Sequence, residues 1–353
     1  MYDIVLSFIT AFSLTFLAIP SIIGIAKKKK LFDIPGERSS HTVITPSLGG
    51  IAIFAGTIFS IILWTPFTYF DDLQYILCSF IIIFLIGAKD DIDPISPSKK
   101  FAGQLFAAAI IVFRAKIMIT SFYGVLGIYE IPYWASVAVT MFVIVLIINA
   151  FNLIDGINGL SGGVGSLIAV TFGFWFYLTD HLEYAVVSAA LVGSVIAFLK
   201  YNLTPAEIFM GDTGSLLLGL VCSILAIEFI ELNNDPDNGW IFNSAPAAAV
   251  GVLVIPLFDT LQVFTKRIMK GKSPFYPDKT HIHHMCLDLG MSHMQGAAFL
   301  IFVNFFFILM VYFLDHLGTI PLLSIVFLLA LIFTLSLHFL SKRKLKAKMS
   351  EPV

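Results

Sequence analysis

Long apolar runs follow one another along this chain, and short polar stretches separate them at roughly helix-length intervals. The runs lie near residues 3–26, 48–64, 73–88, 101–119, 134–151, 164–179, 183–200, 214–231, 245–265, 295–313 and 319–340. An apolar run of about 18 residues or more, wound as a helix, reaches across the hydrocarbon core of a bilayer. The pattern therefore predicts an all-α, polytopic membrane protein with about eleven transmembrane helices. No internal repeat, low-complexity tract or separate soluble domain breaks the series, so residues 1–353 read as a single integral membrane domain. Residues 120–133 have room for a small hairpin, and "NNDPDNGW" (233–240) reads as a polar turn.

Composition narrows the class and charge orients it. Hydrophobic residues make up 58% and charged residues 12% of the chain, against about 25% charged in ordinary globular domains. A soluble fold is excluded. The net charge of −2 averages over two compartments, and no nucleic-acid partner is expected. Three scattered cysteines, Cys78, Cys222 and Cys286, exclude a disulfide framework. The basic cluster Lys27–Lys30 follows the first apolar run instead of preceding it, unlike a cleavable signal. With the N-terminus outside, 19 of the 21 basic residues fall on the cytoplasmic side, leaving Arg114 and Lys116 opposite. Acidic residues divide evenly, so the bias is the one expected of positive-inside topology. The C-terminus is then cytoplasmic.

Four cytoplasmic links carry most of the unusual chemistry, at about 87–104, 149–163, 200–215 and 266–290. They contain "GAKDDIDPISPSKKFAGQ", "NAFNLIDGINGLSGG", "KYNLTPAEIFMGDTGS" and "KRIMKGKSPFYPDKTHIHHMCLDLG". If these helix ends pack together, Asp90, Asp91, Asp93, Asp155 and Asp212 gather at one membrane face. Clustered carboxylates raise one another's pKa unless a cation intervenes, and a hard cation with oxygen ligands, Mg²⁺ above all, resolves the repulsion while also taking phosphate oxygens. Lys99, Lys100, Arg267, His281, His283 and His284 suit phosphate oxygens. Acids for a metal beside bases for phosphate point to chemistry on a pyrophosphate. Each feature has a plainer reading. An Asp-Asp pair is usually solvated, and Asp212 or Thr213 can simply cap the following helix. Asn152 and Asn158 can satisfy turn backbone, and the histidines with Cys286 can form a zinc cluster. Asp259, inside the ninth run, is either an ion site or the partner of a loop. Recurrence of four such links on one face favours the functional reading.

These links, in this order, resemble the polyprenyl-phosphate N-acetylhexosamine-1-phosphate transferase family. That group includes the peptidoglycan-precursor translocase and the enzymes that start O-antigen, enterobacterial common antigen and teichoic acid linkage. "NLIDGINGL", "FMGDTGS" and "SPFYPDKTHIHH" carry the resemblance, which spans about residues 35 to 290. The "HIHH" form is similar to the GlcNAc-1-phosphate branch, whereas the muramyl-pentapeptide branch has a run of three histidines. The resemblance implies transfer of GlcNAc-1-phosphate from UDP-GlcNAc to undecaprenyl phosphate, with release of UMP, at the cytoplasmic face of the bacterial inner membrane. It implies Mg²⁺, for which Mn²⁺ can substitute, at Asn152 and Asp212. Asp90 and Asp91 match the acidic pair that positions or deprotonates the lipid phosphate. Direct attack is favoured over a covalent carboxylate intermediate, because a phosphate dianion is already a competent nucleophile. Lys100 matches a phosphate-binding lysine and Phe209 an aromatic that stacks on uracil. Asp155 and Asn158 line the nucleotide side, while Arg267, His281, His283 and His284 close over phosphates and sugar. Homodimers are known in the family. Two departures stand out: "DDID" places its third acid one position early, with Pro94 in the usual place, and some relatives lack an acid at the position of Asp155. Another UDP-N-acetylhexosamine or UDP-MurNAc-pentapeptide is the alternative donor. The rivals from other classes are a transporter, which would hold polar groups near the midplane, and an aspartate-rich membrane prenyltransferase.

Overall fold

A computed structural model describes residues 1–32, 45–234, 239–273 and 280–350, the side chains of 70–72, 126 and 347–350 excepted. Arg38, Lys279 and the stretch 274–279 of the histidine-loop motif lie outside the described residues. The chain forms α1 (Tyr2–Lys29), α2 (Gly49–Trp64), α3 (Phe70–Ile92), α4 (Pro97–Phe113), α5 (Tyr133–Ile154), α6 (Leu160–Leu178) and α7 (Leu182–Asn202). It continues through α8 (Gly211–Leu232), α9 (Ala245–Val252), α10 (Val254–Met269), α11 (Ile282–Asp288), α12 (His293–Leu314) and α13 (Thr319–Ser350). Seven of these helices are long and apolar enough to cross a membrane, or eight if the bent pair α9 and α10 counts as one span, and α2 is a shorter apolar helix. An antiparallel bridge joins Ser121 to Glu130, inside the segment expected to hold a hairpin.

α8 is the axis of the bundle. Its apolar window is 83% buried, against 22% for α1 and 28% for α12 and α13, which face outward. Helices α2, α3, α5, α6 and α7 surround it. The α3–α8 crossing is close enough that a Cβ on Gly87 would lie 2.5 Å from the Thr213 Cα, so only glycine fits there. That crossing sets the last turn of α3 beside the first turn of α8.

The run expected as one span over 245–265 is broken instead. α9 and α10 meet at Leu253 with a bend of 79°. Pro256, in the first turn of α10, brings no N–H, so it can stand only where the ladder has just restarted. Buried backbone freed by such a break needs other partners. Asn304 of α12 supplies them: its Oδ1 accepts from the Ile255 N–H at 3.3 Å and its Nδ2 donates to the Val252 carbonyl at 3.0 Å. α10 is thereby turned toward the helix tips that carry the polar links.

Candidate active site

The polar links meet at one end of the bundle around a cavity of about 550 Å³. Its walls include Asp90, Asp91, Asn152, Asp155, Asn158, Phe209, Asp212 and His284. Eight of the twelve residues predicted from the sequence thus line a single space, though they come from four distant parts of the chain.

The floor is built by helix ends that cap one another. Gly211, at φ +70°, turns the chain into α8, and a Cβ there would lie 2.2 Å from the Ser47 carbonyl and 2.7 Å from both Asp91 oxygens. Amides at a helix start lack intrahelical acceptors. For α8 the acceptor is Asp91 of α3. Its carboxylate takes the Asp212 N–H at 2.7 Å, the Thr213 N–H at 2.9 Å and the Thr213 hydroxyl at 2.5 Å. The cap read for Asp212 or Thr213 therefore comes from another helix. Asp91 borders the cavity with both oxygens engaged, so the acidic pair divides its labour. At α2, the Gly49 and Gly50 amides donate to the Phe209 and Met210 carbonyls at 3.0 and 2.8 Å, which fixes the segment holding Phe209.

With Asp91 spent on the backbone, the adjacent Asp90 and Asp212 present carboxylates to each other. Lys100, from the first turn of α4, joins them: its ammonium donates to Asp90 Oδ2 at 3.1 Å and to Asp212. The remaining Asp90 oxygen accepts from the Ile95 amide at 2.8 Å. Asn152, at the end of α5, donates to Asp212 and to the Ser215 hydroxyl, the latter at 3.0 Å. Asp93 turns away to an exposed ion pair with Lys89. One lysine against this many carboxylates leaves the corner short of positive charge. The Asn152 and Asp212 side chains offer only oxygen donors toward a metal once the amide presents its oxygen. Two protein oxygens with open space beside them fit Mg²⁺, which keeps waters and takes phosphate oxygens. Among the described residues no three His, Cys, Asp or Glu side chains form a metal cluster of their own.

The α5–α6 loop forms the opposite wall. Asn158 Nδ2 reaches the Thr204 hydroxyl at 3.2 Å, and Ser161 donates to Asp155. Burial pushes the Asp155 carboxyl up to about 7, with the Ser161 hydrogen bond opposing and the charge of Asp212 adding to the rise. Asn202, missed in the sequence, ties this loop to the next one. Its Oδ1 accepts from the Gly159 amide at 2.7 Å while its Nδ2 donates to the Ile208 carbonyl at 3.0 Å. An asparagine at the end of an apolar helix reads as an ordinary terminal residue, and only the tertiary pairing reveals it.

The histidines and Arg267 divide differently from the expectation that all of them face phosphate. His284 lines the cavity. Arg267, His281 and His283 are 3%, 6% and 3% exposed and stand behind it. Burial pulls the His283 imidazole down to about 3, the negative charge of Asp259 opposing and the other histidines assisting, so the ring is neutral at working pH. It lies so close to the α5–α6 loop that a Cβ on Gly156 would fall 2.2 Å from its Nε2.

Among the described residues, a helical body with seven or eight helices apolar enough to cross a membrane and a carboxylate-lined cavity at its helix tips defines a class, polytopic membrane proteins with a polar site at one end of the bundle. The sequence model described as glycosyl transferase family 4 matches residues 73–230. A decaprenyl-phosphate N-acetylglucosaminephosphotransferase of Mycobacterium leprae is 31% identical over 331 residues, covering 84% of this chain and 83% of its own length. The undecaprenyl-phosphate alpha-N-acetylglucosaminyl 1-phosphate transferase of Yersinia pestis is 30% identical, with 82% and 78% covered. Its namesake in Escherichia coli strain K12 is 29% identical, with 77% and 73% covered. The chain belongs to glycosyl transferase family 4.

Proposed function

We propose that this protein transfers GlcNAc-1-phosphate from UDP-GlcNAc to undecaprenyl phosphate, giving undecaprenyl-diphospho-GlcNAc and UMP. The observation that carries the reading is the convergence of Asp90, Lys100, Asn152 and Asp212, from four helices, at one corner of the cavity. Relatives named for this transfer, matching over most of the chain, support it. The topology that fits the charge distribution has eleven membrane passes, with α2, α3 and α4 crossing as well and α9 with α10 as one pass. The N-terminus is then outside, and the cavity opens to the cytoplasm at the inner membrane of a bacterium.

The lipid phosphate enters from the bilayer and the nucleotide from the cytosol. Asp90, locked on one side by the Ile95 amide, orients the incoming lipid phosphate. Lys100 is already shared between two carboxylates, so it can swing part of its charge onto a phosphate oxygen without crossing the site. Asn152 and Asp212 would hold Mg²⁺, and the ion would supply positive charge to neutralise the diphosphate. Phe209 faces the cavity to stack on uracil, and Asp155 with Asn158 borders the nucleotide. An oxygen of the lipid phosphate attacks the sugar-linked phosphorus. That P–O bond forms as the bond to the bridging oxygen breaks, and UMP leaves with the electron pair. Asp91, beside Asp90, holds the start of α8 through the Asp212 and Thr213 amides and so fixes the acidic pair against the cavity.

Purified protein with radiolabelled UDP-GlcNAc, undecaprenyl phosphate and Mg²⁺ tests the assignment. Label in the lipid fraction with one UMP released per transfer is expected. Unchanged UDP-GlcNAc accumulating inside proteoliposomes overturns it in favour of transport, and label from UDP-MurNAc-pentapeptide alone overturns the choice of sugar.

A further inference from the structure

α10 carries a buried carboxylate that the transfer chemistry does not touch. Asp259 is 1% exposed and lies outside the cavity walls. Its two oxygens serve different masters: Oδ2 accepts from His281 Nδ1 at 2.7 Å, and Oδ1 accepts from the Ile282 amide at 2.6 Å. Ile282 is the first residue of α11 and His281 its N-terminal flank, so the carboxylate also meets the positive end of that helix. One turn along α10, Gln262 Nε2 donates to the Thr280 carbonyl at 3.2 Å. Further on, the Arg267 guanidinium lies 3.4 Å from His281 Nε2. One face of α10 thus holds residues 280–282 by both backbone and side chain.

This arrangement determines the imidazole's proton. A carboxylate can only accept, so His281 carries its hydrogen on Nδ1, and a guanidinium can only donate, so Nε2 is the acceptor. The two neighbours agree on one tautomer. From His281 the contact passes outward: its ring lies parallel to that of His283, with centroids 5.4 Å apart, and His283 meets His284 at 4.4 Å. His284 is the member that reaches the cavity.

We propose that Asp259 is the positioning residue of the histidine segment: through the His281 tautomer and the α11 backbone it sets where His284 stands against the substrate phosphates. The part concerning substrate rests on the transfer reading above; the tautomer does not. Replacing Asp259 by asparagine is the discriminating change. Asp259→Asn keeps an oxygen for the Ile282 amide, and its NH₂ faces His281, which must then move its proton to Nε2 and confront Arg267. Asp259→Glu keeps an acceptor of the same charge.

Selective ¹⁵N-histidine NMR of the full-length protein in detergent, with His281→Gln assigning the resonance, reads the tautomer directly. The expected result is Nδ1–H in the wild type and Asp259→Glu, and Nε2–H in Asp259→Asn. In the transfer assay, kcat should fall roughly 10–100-fold for Asp259→Asn, with KM for UDP-GlcNAc within a factor of about three and partial recovery in Asp259→Glu. An unchanged tautomer, or unchanged kcat with the tautomer switched, overturns the proposal. If the wild type transfers nothing yet the tautomer switches as stated, the transfer reading fails while the role of Asp259 in holding His281 stands.

Discussion

Two clusters of polar residues meet the α5–α6 loop, one across the cavity and one through His283, and they are built on opposite principles. At the tips of α3, α5 and α8, Asp90, Asn152 and Asp212 border the cavity, and the two carboxylates share the single ammonium of Lys100 from α4. Against α10, Asp259, Arg267, His281 and His283 are almost wholly buried. The first is a set of charges left underpaired beside an open space, where a cation and a diphosphate can complete it. The second is shut away from the cavity, and at its centre the His281 ring is bonded on both nitrogens. Residue type alone does not distinguish the two clusters; only the first has its carboxylates on the wall of the open cavity. The histidine motif divides between them, His281 and His283 lying buried and His284 bordering the cavity.

The sharpest way to break this contrast is at Asp212. Asp212→Ala removes the carboxylate that both Lys100 and Asn152 face, and turnover should fall by about 10³-fold or more. Mn²⁺ binding, read by electron paramagnetic resonance, should weaken in parallel without regard to turnover. Activity near the wild-type level in a folded variant, or unaltered Mn²⁺ binding, would remove this corner from the chemistry.

Next in size is a paired test of two adjacent acids. Asp90→Asn should lower turnover by about 10²-fold or more and leave UDP-GlcNAc binding intact by calorimetry. Asp91→Asn puts an amide against the α8 amides, and the loss of a cap of this kind costs about 0.5–2 kcal/mol. Asp91→Asn should therefore show the larger drop in thermal stability, and Asp90→Asn the larger drop in kcat. Equal losses of both quantities in the two variants would show that the pair acts as one unit.

Most of the fold was legible because a bilayer leaves few solutions: apolar length and lysine placement determine the helices and suggest their direction. The cavity residues were legible too, since Asp90, Asn152, Phe209 and Asp212 sit in motifs at helix ends. What remained hidden depends on contacts across the sequence. Asp91 reads like its neighbour until α8 is seen to begin against it, and Asn202 reads as a helix end until its amide bridges two loops. The break at Leu253 was obscured by an apolar run that continues through it, because Asn304, some fifty residues later, supplies the missing backbone partners. Asp259 had two readings in the sequence, and its bonds to His281 and Ile282 select the loop partner.

A smaller effect probes the seam between the clusters. A methyl on Gly156 would meet His283 Nε2 at 2.2 Å, so Gly156→Ala must push the histidine segment back or the α5–α6 loop into the cavity. Displacements of this kind commonly cost up to about 10²-fold in rate. A more modest change is expected here, roughly tenfold in kcat/KM, because His284 can re-seat. Mn²⁺ affinity should be unchanged, as Asn152 is held within the last turn of α5, ahead of this loop, and Asp212 lies on α8. If Gly156→Ala weakens Mn²⁺ as strongly as Asp212→Ala does, the two clusters are not separable.

The mildest test uses pH at Asp155. Its carboxyl sits at about 7 because burial disfavours the charge, with Asp212 adding to that and Ser161 opposing it. Below that value the group is neutral, so a diphosphate entering the cavity meets no added repulsion from this wall. As pH rises through 7 the group ionises, and UDP-GlcNAc affinity at fixed Mg²⁺ should fall, by no more than about tenfold between about pH 6 and pH 8. The sign is fixed by the direction of the shift: a carboxyl at its ordinary pKa would be charged throughout and would give no slope in this window. Asp155→Asn retains an oxygen for the Ser161 hydroxyl and carries no charge at any pH, so its affinity should be flat and match the wild type at the acidic end. A wild-type profile without slope, or a slope that survives in Asp155→Asn, would place the titrating group elsewhere and leave the nucleotide wall without electrostatic influence on binding.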